Sequence, residues 1–234
     1  MHVSAADWTG RVGRILACAS MALLPVVASA AVEEDPWEGV NRKVFRFNDT
    51  LDAYAIKPVA KGYQWIAPQF VEDGVHNFFR NVGELTNLAN DLLQGKMKDA
   101  GVDTSRLLIN TTAGVLGFVD VATKMGLERN DEDFGQTLGA WGVKSGPYMV
   151  LPFFGPSTIR DAGGMVGDMF TQPYFYINNS AVNYGFFVAQ VIDTRASLLS
   201  AEKIITGDKY IFVRNAYLQN REFRVKDGEV VDDF

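Results

Sequence analysis

Residues 139–161 read GAWGVKSGPYMVLPFFGPSTIRD. Gly139, Gly142, Gly146 and Gly155 are set among Trp141, Tyr148, Met149, Val150, Leu151, Phe153 and Phe154. Pro147, Pro152 and Pro156 forbid a long helix, because each lacks the N–H a helix needs and clashes with the preceding turn. Connecting backbone is normally polar because it runs over the surface. An apolar, glycine-jointed, proline-stiffened segment has two places to go: it is a buried connection between core helices, or it faces an apolar phase. Ser157 or Thr158 is placed to cap a following helix, with Thr158 and Asp161 in capping-box spacing.

The chain around this stretch is long enough for one sizeable core at 234 residues, and no Ser/Gly/Pro-rich linker divides it, so one domain is expected. Its formal net charge of -6 argues against a nucleic-acid binder, which needs clustered Lys and Arg. The same charge argues against a polybasic membrane anchor.

Residues 1–30 are a different kind of sequence. Arg11 and Arg14 precede an apolar run over 15–27, and Ala28-Ser29-Ala30 gives a small-X-small cleavage pattern before Ala31. The run is short against the roughly twenty residues a spanning helix needs, so residues 1–30 are expected to be a signal peptide and 31–234 the mature domain. Cleavage there removes Cys18, the only cysteine, and His2, leaving His76 as the one imidazole. A disulfide framework, a thiolate or multi-histidine metal site and a cysteine nucleophile are thereby excluded from the mature chain, and no cofactor is expected.

The mature sequence is patterned for helices. Val40, Val44, Phe47, Leu51 and Tyr54 form an apolar stripe that Lys57-Pro58 should end or kink. Residues 71–93 carry a broad stripe, Val71, Val75, Phe78, Val82, Leu85, Ala89 and Leu92, widened by Phe79, Leu88 and Leu93; it lies in a membrane plane or packs inward. Gly95 is a C-cap. A helix over 102–112 should turn Leu107 and Leu108 inward, before Gly114 and Gly117 interrupt the chain. Residues 126–138 read as a surface loop. Gly163, Gly164 and Gly167 permit close backbone approach in the helix that Pro173 ends. One long helix is expected over 183–205 and a last one over 208–224, with Tyr210, Val213, Tyr217 and Leu218 as its apolar side. Alternating β-branched runs are scarce, so the fold is expected to be all-α. Trp37, Trp65, Trp141, Tyr148, Tyr174, Tyr176 and Tyr184 are either an interfacial belt or core aromatics.

Catalytic machinery is not evident. His76 lies beside an apolar helical stripe, where a surface or boundary histidine is the ordinary reading. Ser157 lacks a G-x-S-x-G elbow, and there is no phosphate loop or dinucleotide fingerprint. The sequence gives no reason to call the chain an enzyme.

Five blocks in one order, DPWEGVNRKVFRFN (35–48), LLQGK (92–96), RLLINTTAGVLGFVDVA (106–122), DFGQTLGAWGVKSGPYMVLPFFGPSTIRD (133–161) and YIFVRNAYLQNREF (210–223), resemble the VacJ or MlaA family. The resemblance implies an all-α, ring-like arrangement of amphipathic helices around a central amphipathic channel. It implies residence in the periplasmic leaflet of the Gram-negative outer membrane, beside trimeric porins. The function implied is passage of mislocalised phospholipid toward a periplasmic carrier of the Mla system, which maintains lipid asymmetry. By the same resemblance Gly139, Trp141, Gly142, Gly146, Tyr148, Leu151, Pro152, Phe153, Phe154, Gly155 and Pro156 are channel or rim residues. Family members are commonly lipoproteins, but Ile15-Leu16-Ala17-Cys18 is a poor lipobox, which favours cleavage after Ala30 and no acyl anchor. A non-catalytic adaptor that docks on porins and recruits periplasmic proteins is the alternative function.

Overall fold

The computed structural model describes residues 35–228. The signal-peptide expectation falls on residues outside that range. The described chain is predominantly helical: α1 (Glu38–Leu51), a π-helical turn (Asp52–Ile56), α2 (Lys57–Ile66), α3 (Gln69–Gln94), α4 (Met97–Thr112), α5 (Val121–Lys124), α6 (Phe134–Ala140), α7 (Ile159–Met169), α8 (Ser180–Ser197) and α9 (Lys209–Val225), with short 3₁₀ turns at Pro173–Tyr176 and Ala201–Ile204. The exception lies within the glycine-rich stretch, where β1 (Tyr148–Leu151) and β2 (Gly155–Thr158) form an antiparallel hairpin. Pairing runs from Tyr148 opposite Thr158 to Leu151 opposite Gly155. The prolines that exclude a helix leave extended backbone as the alternative, and Pro156 is tolerated because a two-stranded ladder is all edge.

Element ends follow local chemistry. Thr158 caps α7 by accepting from Asp161 N–H at 3.2 Å, and Asp208 caps α9. Gly95 ends α3 in the left-handed region, with Lys96 N–H returning to Asp91 O at 2.8 Å. Four expectations change. Pro58 does not break the helix: the π-turn before it re-registers the backbone, and Asp52 within the turn is held by both Nε and Nη2 of Arg195, at 2.6 and 2.8 Å. The surface loop is shorter than expected, because Asp133 caps α6 through Gln136 N–H at 2.9 Å. The long helix over 183–205 begins earlier, at the Asn179 cap, and gives way to a 3₁₀ turn after Ser197. Of the α7 glycines, Gly164 lies against the backbone of Gly135 so closely that a Cβ would come within 2.4 Å of its nitrogen, whereas Gly163 faces open space.

The larger departure is which side of each helix is buried. On α3 the buried side chains include Asn81, Glu84, Thr86, Asn87, Asn90 and Asp91; the apolar stripe is at most half-buried, with Leu92 and Leu93 exposed. Phe78 and Phe79 meet Phe186 of α8 edge-on, covering part of this stripe. On α4 the inward residues are Asp103, Arg106 and Asn110, while Leu108 is 60% exposed, contrary to its expected inward placement. On α1 the one buried side chain is Asn41, and Val40, Phe47 and the following Tyr54 are exposed. Trp65 is 87% exposed, and Tyr176, Tyr184, Trp141 and Trp37 are also exposed; of the seven candidate belt aromatics only Tyr148 is buried.

Polar interiors of this kind need complete pairing, since an unpaired buried charge is costly. Arg106 reaches Glu84 at 2.9 Å, Thr123 Oγ1 at 3.0 Å and Asp120 at 3.2 Å. Burial disfavours the Asp120 charge, but donors from Thr123 and Asn110 and the Arg106 charge outweigh it and hold the carboxyl at about 2. A cluster of buried apolar side chains forms around Tyr148, Val150 and Tyr210, with Val44, Phe45, Ile211, Tyr217 and Leu218 packed on it. There Tyr210, Tyr217 and Leu218 of the expected apolar side of α9 do face inward, joined by Ile211, while Arg214 is buried as well.

Candidate functional site

The hairpin is held by side chains on its free edge. Asn41 and Asn48 are seven residues apart on α1 and so share a face two turns apart. Asn41 donates to Tyr148 O at 3.1 Å and accepts from Val150 N–H at 3.0 Å. Asn48 donates to Leu151 O and accepts from Phe153 N–H, both at 2.9 Å. Asn41 thus offers one donor and one acceptor to β1, as a neighbouring strand would, and Asn48 does the same where β1 passes into the turn. Phe47 and Phe153 are edge-on with centroids 5.4 Å apart.

Beneath the strands Tyr148 contacts Tyr210 and Tyr217, each with centroids 6.2 Å away. Burial pushes the Tyr148 hydroxyl up to about 12, and that hydroxyl has no hydrogen-bond partner among the described residues. Tyr217 donates to Asp161 at 2.7 Å, and Asp161 also receives Arg221 at 3.0 Å. Burial opposes ionisation of Asp161, yet the Arg221 charge and these donors bring its pKa below the ordinary value.

The eleven candidate residues therefore divide. Trp141, Gly142, Gly146, Pro152, Phe153 and Phe154 are exposed, with Phe153 at 70%. Phe153 takes φ of 68°, a conformation uncommon for a residue with a side chain, and Gly155 follows at 85°. Leu151, Gly155 and Pro156 are half-buried, Tyr148 is in the core, and Gly139 is backed by Val225 and Arg160. The hairpin tip is thus a strained, exposed aromatic turn on a buried base.

Two polar cavities lie elsewhere. One of about 400 Å³ is lined from α3, residues 129–133, α7, Gln172 and Arg224. Another of about 280 Å³ contains His76, whose Nδ1 is 2.9 Å from Asp193 Oδ2. Among the described residues no hydroxyl is hydrogen-bonded to the His76 ring, and no group of three or more His, Cys, Asp or Glu side chains is arranged to hold a metal. Nor is any described helix long and apolar enough to cross a membrane.

The model of the MlaA lipoprotein family matches residues 33–224. The chain belongs to this family. It is similar to the intermembrane phospholipid transport system lipoprotein MlaA of Escherichia coli (strain K12), 38% identical over 202 residues, covering 84% of this chain and 80% of that protein. With the protein of the same description from Haemophilus influenzae it is 35% identical over 207 residues, covering 85% and 82%. A solved structure from work on the structural basis for maintenance of bacterial outer membrane lipid asymmetry superposes with a TM-score of 0.73 at 35% identity, covering 82% of this chain and 100% of that one.

For this MlaA-family chain, sequence reasoning missed Asn41, Asn48 and the polar interior of α3. The signal was present: Asn81, Glu84, Asn87 and Asp91 recur at intervals of three and four, so they form a polar stripe as regular as the apolar one.

Proposed function

We propose that this protein moves phospholipid within the outer membrane and helps maintain its lipid asymmetry, with the hairpin tip at the rim of the lipid's path. The single observation that carries the reading is the inverted polarity of α1, α3 and α4: charged and amide side chains such as Asn41, Glu84, Asp91 and Arg106 are buried while Val40, Phe47, Leu92, Leu93 and Leu108 are exposed. An exposed apolar surface this extensive suits an apolar solvent. It supplies attachment in the periplasmic leaflet without a spanning helix and, with cleavage after Ala30, without an acyl anchor. A lipid leaving a bilayer exposes its tails at about 0.8 kcal/mol per CH₂, on the order of 10 kcal/mol for a full chain, so the route must be lined. A channel with an apolar side and a polar side meets the needs of tails and headgroup together. Likeness to relatives described as phospholipid transport lipoproteins supports the same reading. Trimeric porins would be its membrane neighbours and a periplasmic lipid carrier its acceptor; direction comes from that carrier or a lipid gradient.

The test places a bulky group on the tip after folding. Phe154→Cys, in a chain whose Cys18 is replaced, is alkylated with a large maleimide, and transfer of fluorescent phospholipid from protein-containing vesicles to an acceptor is followed. Slowed transfer with retained porin binding supports a conduit. Undiminished transfer would instead favour an adaptor that only docks on porins.

A further inference from the structure

In the 400 Å³ cavity we infer a binding site for the phosphodiester of a glycerophospholipid headgroup, formed by Arg129 and Arg224 with Asp131 as the resident counter-ion that the ligand displaces. The inference rests on the transport reading and names what its polar side recognises. Arg129 projects from the segment between α5 and α6, and its side chain is only 13% exposed. It crosses α3 at Gly83, where a Cβ would stand 3.3 Å from Nη2. Its Nε–H is buried with no hydrogen-bond partner among the described residues, though it lies in an ion pair 3.5 Å from Glu84 Oε1.

Both arginines of the lining converge on one exposed aspartate. Arg129 Nη2 lies 3.0 Å from Asp131 Oδ1, and Arg224 Nη2 lies 3.8 Å from Asp131 Oδ2. Two guanidinium groups thus meet on Asp131, whose side chain is 49% exposed, while Arg129 also pairs with the buried Glu84. The cavity's other acids are engaged. Glu132 is bonded to Lys96 and Gln94, and Asp133 is paired with Arg221. Asp168 takes the Phe134 N–H at 2.9 Å and Asn90 at 3.3 Å, and burial pushes it up to about 6. Burial works against the Arg129 charge; the Asp131 and Glu84 carboxylates favour it, Arg80 and Arg106 oppose it, and the balance holds the guanidinium below its ordinary value. Gln172 adds a neutral donor: its Nε2 bonds Thr86 Oγ1 at 3.1 Å and keeps a second hydrogen. Guanidinium forks match phosphoryl oxygens in geometry as well as charge.

The test uses the full chain in detergent and titrates glycerophosphoglycerol, a headgroup without tails, beside inorganic phosphate. Arg224→Gln, at an exposed position, and Arg129→Gln should each weaken diester binding roughly tenfold or more, the range for losing a charged hydrogen bond. Asp131→Asn should tighten it severalfold by removing the competitor. Equal affinity in the wild type and all three variants, or weaker binding in Asp131→Asn, overturns the site. Phosphate binding with the same dependence but no diester binding assigns the cavity to free phosphate and overturns the headgroup reading. A wild type that transfers lipid yet shows no arginine dependence removes this site alone. One that binds diester as described but transfers no lipid removes the transport reading alone.

Discussion

Asn48 holds Phe153 in place: its Oδ1 accepts the Phe153 amide at 2.9 Å while its Nδ2 donates to Leu151 O at 2.9 Å, so one helical carboxamide fixes the strained turn of the hairpin. Such bonds contribute about 0.5–1.5 kcal/mol each. Asn48→Ala should therefore raise exchange of the Phe153 amide roughly ten- to a hundredfold while leaving Val150, held by Asn41, near wild type. Amide hydrogen exchange checks this. Equal acceleration at both amides would mean that the two asparagines do not act separately.

The interior of α3 and α4 depends on Arg106. Arg106→Leu leaves Glu84 and Asp120 without their shared cation and should destabilise the protein by about 3–5 kcal/mol, the usual cost of breaking a buried pair on one side. Denaturant unfolding measures it. A loss below about 1 kcal/mol would mean that water reaches these carboxylates.

Asp103 faces Asp91 across the α3–α4 contact, both fully buried. Burial, then the bond to Asp91 and the Glu84 charge, push the Asp103 carboxyl up to about 8. A folded-state pKa above the unfolded value means the folded state keeps a proton that the unfolded state loses, so stability falls as pH rises from about 4 toward 8. Asp103→Asn removes that dependence and preserves a donor toward Asp91. Melting temperature against pH should slope downward over this window in the wild type and much less in the variant; parallel curves would contradict the shared proton.

Within α7 the two adjacent glycines should behave oppositely. Gly164→Ala drives a Cβ into the Gly135 backbone and separates α6 from α7, whereas Gly163→Ala meets open space and should stabilise by about 0.4–1 kcal/mol through lost unfolded-chain freedom. Thermal unfolding of the pair separates packing from helix propensity. Similar effects at both positions would mean the helices do not approach this closely.

Most helices were legible, and so were some of their ends: Gly95 and Thr158 terminate elements as their chemistry dictates. What the stripes on α1, α3 and α4 could not reveal is the medium they face. A hydrophobic period fixes an angle on the helix, and only the partner surface decides whether that angle points into a core or into lipid. Leu108, expected inward, is exposed, and Arg106, two positions away, is the buried side chain. The hairpin was legible as non-helical, but its strands were hidden because their pairing partners on one edge are the side chains of Asn41 and Asn48, distant in sequence. Pro58 read as a break because the π-turn beside it leaves no compositional mark.

The central claim, that these apolar faces meet lipid, is tested most directly at Trp65. A variant retaining Trp65 as its sole tryptophan is reconstituted into vesicles of phospholipid brominated along the acyl chains, and its fluorescence is compared with that in unbrominated vesicles. Strong quenching with blue-shifted emission is the expected result. Unquenched, water-like emission from vesicle-bound protein would contradict the account.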